Sequence, residues 1–403
     1  MNTKITHLKA EVTEVLTTNI LPYWINKMVD TTYGGFYGRI DGTEVCRPEA
    51  EKGAILHARM LWTFSAAYRL LKKEEYLDMA TRAKRYMIDS FYDKTYGGIY
   101  WSLTHQGDPL DTKKQIYAIG FAIYGLSEYY RATADAEALT YAIHLFESIE
   151  THSFDKIKNG YCEALTREWG EIADMRLSEK DANERKTMNT HLHILEPYTN
   201  LYRVWKDERL KNQLRNLIFL FTDKILNKET HHLELFFDDD WNSKYSIVSY
   251  GHDIEASWLI HEAALELKDP AVLQYVEPLV QKIAEAATEG FTPEGGMIYE
   301  RNLTNGHVDA DRHWWVQAET VVGYINLYQH FADEASLDKA LACWEFTKSH
   351  LIDRVNGEWF WSLRADGTIN HTDDKAGFWK CPYHNGRMCM ELIRRIERLL
   401  TKN

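Results

Sequence analysis

Tyr33-Gly34-Gly35-Phe36-Tyr37-Gly38-Arg39-Ile40 reads as a tight turn followed by a short run of alternating character, and the chain uses this device six times. It returns as Tyr96-Gly-Gly-Ile-Tyr-Trp-Ser-Leu103, Asn159-Gly-Tyr-Cys-Glu-Ala-Leu165 and His231-His-Leu-Glu-Leu-Phe-Phe237. The last two copies are Gly295-Gly-Met-Ile-Tyr-Glu-Arg301 and Asn356-Gly-Glu-Trp-Phe-Trp-Ser-Leu363. A spacing of roughly sixty to seventy residues signals repeated supersecondary units. In five copies a Gly or Asn stands where a turn needs positive φ, and the alternation after it marks a strand.

Between copies lie two segments of helical period. The first of each pair is apolar nearly all round, as in Gly53 to Tyr68 and Lys114 to Leu126. The second carries a charged stripe, as in Glu74 to Met87 and Asp135 to Ile149. A helix apolar on every side is buried, and a striped one covers it from outside. The other inner segments are Thr187 to Trp205, His252 to Leu267, Trp314 to His330 and Pro382 to Leu399, with Thr6 to Met28 closing the ring from the outside. The pattern predicts an all-α (α/α)6 barrel, a six-hairpin toroid with short β-hairpin strands at one rim. A length of 403 residues alone suggests two or three domains. A hairpin cannot bury its apolar face by itself, so a single domain over 1–403 is expected instead. The competing architecture is an open solenoid, which wants polar capping repeats; none is evident.

In a closed barrel the inner helices run in parallel, so their N-termini meet at one mouth. The strand-turn copies are expected at the opposite or a neighbouring rim, as structure. Read in order, the inner first turns offer His57 and Arg59, Tyr117, Asn189 with His191 and His193, His252 with Glu255, Trp314 and Trp315, and Trp379 followed by His384. In Ser249-Tyr-Gly-His-Asp-Ile-Glu-Ala-Ser-Trp258, His252 and Glu255 are three apart and share a helical face, and a carboxylate beside an imidazole fixes its tautomer and raises its basicity. His191 and His193 are two apart and diverge; His193, sharing a face with Asn189 and followed by Glu196 and Pro197, is expected inward, with His191 at a seam or the rim. His252 and His384 stand best for acid-base work. Two rival chemistries use the same groups. A zinc or iron set is possible in principle, but the order His-x-x-Glu is not the His-Glu-x-x-His of a metalloprotease, and no metal is expected. An inverting glycosidase needs a second acid beside Glu255, for which Glu319, Glu300 and Asp373 are available. No nucleophilic Ser or Cys motif and no phosphate-cradling glycine loop is present.

A net charge of -13 argues against nucleic-acid and anionic-membrane partners, which call for a basic surface. The five cysteines (Cys46, Cys162, Cys343, Cys381, Cys389) are scattered and lack Cys-x-x-Cys spacing, which fits reduced thiols in the cytoplasm. Met1 to Ala10 has no apolar core of an export signal, and no window approaches the length of a membrane span. Thirteen tryptophans and twenty-four tyrosines exceed what a core of this size needs; they serve either to fill a wide interior or to stack on sugar rings.

Four stretches are specific enough to carry a resemblance: Lys186-Thr-Met-Asn-Thr-His-Leu-His-Ile-Leu-Glu196, Ser249 to Trp258, Trp314-Trp-Val-Gln-Ala-Glu319 and Trp379-Lys-Cys-Pro-Tyr-His-Asn-Gly-Arg-Met388. Together they resemble the cellobiose 2-epimerase group of the N-acylglucosamine 2-epimerase family over essentially the whole chain. The resemblance implies the same barrel and cofactor-independent epimerisation at C2 of the reducing-end glucose of β-1,4-linked disaccharides, with cellobiose, lactose and mannobiose-type sugars as substrates. It places functional residues at Arg59, Tyr117, Asn189, His193, His252, Glu255, Trp315, Trp379 and His384. Mannose 2-epimerases, mannose isomerases and N-acylglucosamine epimerases share the fold and much of the histidine set, so they stand as alternatives. The implied chemistry passes through a cis-enediolate, with His252 and His384 moving protons, Glu255 orienting His252, Arg59 stabilising the enediolate oxygen, and His193 and Tyr117 serving the ring oxygen and O1. Asn189 is a further substrate contact, and Trp315 and Trp379 stack on sugar faces. A cytoplasmic monomer is expected.

Overall fold

A computed structural model describes residues 2–401; Met1, Lys402 and Asn403, at the ends of the expected 1–403 span, lie outside the described residues. The first helices are α1 (Asn2–Glu14), α2 (Leu21–Lys27), α3 (Ala54–Leu71), α4 (Glu74–Tyr86), α5 (Ile116–Thr133) and α6 (Ala136–His152). They continue as α7 (Met188–Val204), α8 (Glu208–Leu220), α9 (Tyr250–Leu267), α10 (Pro270–Ala287), α11 (Trp314–Phe331), α12 (Glu334–His350) and α13 (His384–Thr401). The odd-numbered helices from α3 to α13 each pack on the next, and α13 returns to α3, so the inner ring closes. Outside it lie α4, α6, α8, α10 and α12, while α1 packs on α13 and completes the outer ring. This is the (α/α)6 barrel that the hydrophobic pattern predicts.

Burial follows the two kinds of period. Every residue of α5 from Ile116 to Tyr129 is buried, as expected of a helix enclosed on all sides. In α4 the buried positions are Tyr76, Met79, Ala80, Ala83, Lys84 and Tyr86, one stripe at three- and four-residue spacing. Inner helices hand over to outer ones by a repeated device. Lys72, Ala134, Lys268 and Ala332 cap α3, α5, α9 and α11 in the left-handed conformation, at φ of 55° to 60°. Asp135, Asp207, Asp269 and Asp333 then cap α6, α8, α10 and α12, each accepting one or two backbone N–H groups of the new first turn.

The strand-turn copies also repeat in detail. One antiparallel bridge marks each: Val29 with Phe36, Tyr92 with Ile99, Phe154 with Tyr161, Leu226 with Leu233, Phe291 with Met297 and Ile352 with Trp359. Asp30, Asp93 and Asp155 each accept two backbone amides inside their turns, and the buried lysines Lys52, Lys114 and Lys186 pair with them at 2.6, 2.9 and 3.1 Å. The fourth copy, which lacks a Gly or Asn, still turns with positive φ, on His231 at 61°.

The strands lie on a different rim from the one expected. Lys52–Gly53, Lys114–Gln115, Lys186–Thr187, Ile247–Ser249 and Arg312–His313 each end one residue before an inner helix, and each pairs with a strand from the following copy. They therefore encircle the mouth where the inner helices begin. Connectivity requires it: an outer helix returns the chain to the rim from which the next inner helix departs, so the linking hairpin can sit nowhere else. Among the described residues no helix is long and apolar enough to cross a membrane.

Candidate active site

At this strand-lined mouth, polar residues in the first turns of the inner helices divide into two groups. One group latches the hairpins. His57 accepts the Phe36 amide at Nε2 while Nδ1 faces the Gly53 carbonyl at 2.9 Å, and His191 repeats the pattern with the Tyr161 amide and the Thr187 carbonyl. Gln317 and Asp253 do the same for Met297 and Leu233. His191 is thus a fully buried latch at the seam between α7 and the Tyr161 hairpin rather than on the exposed rim, and both of its ring nitrogens are spent.

The second group has one ring nitrogen engaged and the other uncommitted. His193 meets the Glu196 carboxylate through Nδ1 at 3.0 Å, and His384 meets Glu319 through Nδ1 at 2.7 Å. An ionised carboxylate only accepts, so this network assigns the hydrogen to Nδ1 and leaves the Nε2 lone pair available. His252 is held differently. Its Nδ1 lies 2.7 Å from the Ser249 hydroxyl, which can donate or accept, so both tautomers are open to it. No hydrogen bond among the described residues engages Nε2 of these three rings. His252 and His384 pack on the same Trp315 ring, at centroid separations of 4.8 and 5.6 Å.

Across the mouth, Arg59 donates to the Tyr117 hydroxyl at 2.8 Å and to the Trp379 carbonyl at 3.2 Å, with its guanidinium 4.3 Å from the Phe121 ring. Tyr117 stands 4.9 Å from the His193 ring and 6.0 Å from Trp379. Tyr383 bridges the two halves, 4.7 Å from His384 and 4.8 Å from the Arg59 guanidinium. Asn189, half-buried, presents an Oδ1 with no partner.

Glu255 departs from the expected geometry. It is fully buried but does not hold His252; its Oε1 accepts from Arg387 at 2.7 Å and lies 4.0 Å from Nδ1 of His384. Its other oxygen, Oε2, is buried without a partner. Ser249, three residues before His252, occupies the place assigned to the carboxylate. Arg387 itself escaped notice in the sequence, although it lies three residues after His384. Its Nη2 donates to both Glu255 and Glu319 at 2.7 Å, and its Nη1 to Glu196 and to Tyr383. The indole of Trp258 adds a hydrogen bond to the second oxygen of Glu319 at 3.0 Å.

Burial sets the protonation states. Desolvation carries His252 down to about 4, and His193 and His384 well below the usual imidazole range, with the Arg59 charge adding to the effect on the last two. All three are therefore neutral near pH 7 and able to accept a proton. Burial raises Glu255 to about 8 and, with the charge of Glu255, pushes Glu319 upward. The Arg387 N–H groups that both accept at 2.7 Å, and the Trp258 indole on Glu319, oppose that rise and favour the ionised, acceptor-only carboxylates. Burial likewise raises the Tyr117 phenol, which stays a neutral hydroxyl.

The rival chemistries fit this arrangement less well. Ligand atoms of Glu255, Glu319 and His384 lie within 4.8 Å of one another, a spacing that could take a metal ion. Nη2 of Arg387 already bridges the two carboxylates and supplies the positive charge a metal would bring. The same proximity is shorter than the roughly 6.5–9.5 Å that an inverting carboxylate pair needs. Glu300 belongs to a rim strand, and Asp373 is an exposed acceptor for Asn370.

The chain matches the model of the N-acylglucosamine 2-epimerase (GlcNAc 2-epimerase) family over residues 35–386. It is 71% identical over 386 residues to a cellobiose 2-epimerase of Bacteroides fragilis, covering 96% of this chain and 98% of that one. A cellobiose 2-epimerase of Ruminococcus albus is 42% identical over 388 residues, with 96% and 98% covered. The solved cellobiose 2-epimerase of Bacillus thermoamylovorans B4167 superposes with a TM-score of 0.91 at 44% identity, covering 98% of this chain and 100% of its own. On sequence and fold together, the chain belongs to the N-acylglucosamine 2-epimerase family.

Proposed function

We propose that the protein epimerises C2 of the reducing-end glucose of β-1,4-linked disaccharides, converting cellobiose to glucosyl-mannose and lactose to epilactose. The observation that carries this reading is a pair of neutral imidazoles, His252 and His384, delivered by different helices onto one tryptophan, each with Nδ1 held and Nε2 uncommitted. The names of the relatives at 71% and 42% identity support the disaccharide class.

Inversion at C2 beside a latent aldehyde requires ring opening, removal of the C2 proton, rotation of the cis-enediolate about C2–C3, and protonation from the other face. In this reading one of His252 and His384 takes the proton and the other returns one. Each well-placed group of this kind contributes about 10²- to 10⁴-fold. The Arg59 guanidinium faces the oxygen on which charge develops and stabilises it without reorganisation. His193 and the neutral hydroxyl of Tyr117 serve the ring oxygen and O1 during opening. Glu255 acts with His384, and its unpartnered Oε2 offers an acceptor to a sugar hydroxyl. Trp315 and Trp379 carry the apolar faces of the two sugar rings, and Asn189 adds a polar contact through its free Oδ1. No cofactor enters the scheme. The proposal includes a single catalytic domain and a cytoplasmic monomer, the location favoured by five unpaired cysteines.

The test is epimerisation in heavy water. Product mannose residues are expected to carry deuterium at C2, read by NMR. Protium retained at C2 would overturn proton transfer in favour of an intramolecular hydride shift. Parallel incubations with cellobiose, lactose, mannose and N-acetylglucosamine, resolved by chromatography, decide the substrate class; turnover of the monosaccharides alone would overturn the disaccharide reading.

A further inference from the structure

Arg387 belongs to none of the groups assigned above to substrate, yet it is fully buried at the centre of the site. Three carboxylates from three other inner helices converge on it: Glu196 of α7 on Nη1, and Glu255 of α9 and Glu319 of α11 on Nη2. Two of those carboxylates each hold an imidazole. Glu196 meets His193 through Oε2 while its Oε1 meets Arg387, and Glu319 meets both His384 and Arg387 through Oε1. The hydrogen-bonded path therefore runs from His193 through Glu196, Arg387 and Glu319 to His384, with Tyr383 and Trp258 closing the remaining acceptor positions. The guanidinium is clamped between the Tyr383 and Trp258 rings, at 4.3 and 4.7 Å, which fixes its plane.

From this geometry we infer that Arg387 is a positioning residue that locks Glu196 and Glu319 as acceptors, so that His193 and His384 are held as Nδ1–H tautomers with Nε2 presented to substrate. Its chemistry suits the task. A guanidinium cannot give up its proton and offers a planar fork of donors, so the carboxylates it binds stay oriented as acceptors; a lysine supplies the charge without the fork. Without it, three buried acids would face one another, and one of them would take a proton and turn from acceptor to donor. A carboxyl group donating to Nδ1 would leave Nε2 carrying the hydrogen, and that imidazole could no longer act as a base. His252, held by a hydroxyl, lies outside this control.

The inference rests on the epimerase reading for its kinetic test but not for its spectroscopic one. Arg387→Met, Arg387→Lys and Glu196→Gln are compared with the unaltered protein, using circular dichroism to confirm the fold. For Arg387→Met, kcat is expected to fall more than 100-fold with KM within about threefold, with the pH dependence of kcat/KM displaced and part of the rate recovered in Arg387→Lys. In the substrate-free protein labelled with ¹⁵N-histidine, long-range ¹H–¹⁵N spectra should show His193 and His384 protonated at Nδ1. That signature should be lost or mixed in Arg387→Met, and at His193 alone in Glu196→Gln. Should Arg387→Met fail to fold, Glu196→Gln carries the test by the same readouts. A folded variant with kcat within threefold, an unchanged pH profile and unchanged imidazole tautomers would overturn the inference. If the unaltered protein epimerises no sugar, the proposed function falls while the tautomer measurement still decides the role of Arg387.

Discussion

His191 and His193 stand two residues apart in the same helical turn, both buried, yet they occupy different chemical worlds. His191 spends both ring nitrogens on backbone and pins the Tyr161 hairpin to α7. His193 spends only Nδ1, on Glu196, and turns its ring toward Tyr117 and Phe121. The same contrast separates His57 from His384. Residue type and burial do not tell a latch from a catalytic candidate; the number of ring nitrogens already committed does.

The contrast can be broken most directly by exchanging the two kinds of histidine. His384→Ala and His252→Ala are expected to lose at least about 10³-fold in kcat, near the upper range for acid-base groups, while the thermal midpoint moves by only a few degrees. A variant that keeps a tenth of the rate would dissolve the distinction. His191→Ala should do the reverse. It leaves the Tyr161 amide buried without an acceptor and costs about 1–3 kcal/mol for that group, with a further loss for the cavity. Denaturant unfolding measures the loss, and activity per folded molecule should persist.

Acid sharpens the comparison further. Burial holds His57 at about 3 and His191 at about 4, whereas an unfolded imidazole binds its proton near 6.5. Between those values the unfolded chain carries more protons, so their stabilising effect is complete above about pH 6.5 and is lost as pH falls toward 4 and 3. His191→Gln, which retains an acceptor for the amide but does not titrate, should flatten the fall of the melting temperature from pH 6.5 to 4.5. An unchanged slope would remove the latch histidines from the account. The smallest effect belongs far from the mouth: Asp135→Ala deletes one outer-helix cap and should cost about 1 kcal/mol with turnover unaltered.

Sequence alone determined the ring of six inner and six outer helices, because a helical period and a recurring turn are written in contiguous residues. It also brought His252, His384, His193, Arg59 and the two tryptophans to one mouth, since parallel inner helices must begin together. Tertiary structure decided the partners. Arg387 lies 191, 132 and 68 residues from Glu196, Glu255 and Glu319, and no local spacing links them. The three-residue interval between His252 and Glu255 instead suggested a contact that the packing does not make, because Glu255 meets the charge of Arg387 across the ring while Ser249 reaches the imidazole first. The rim of the hairpins was likewise settled by the return path of the outer helices. Which groups share a helical face is a property of a segment, but which charge a buried carboxylate finds depends on every helix that encloses it.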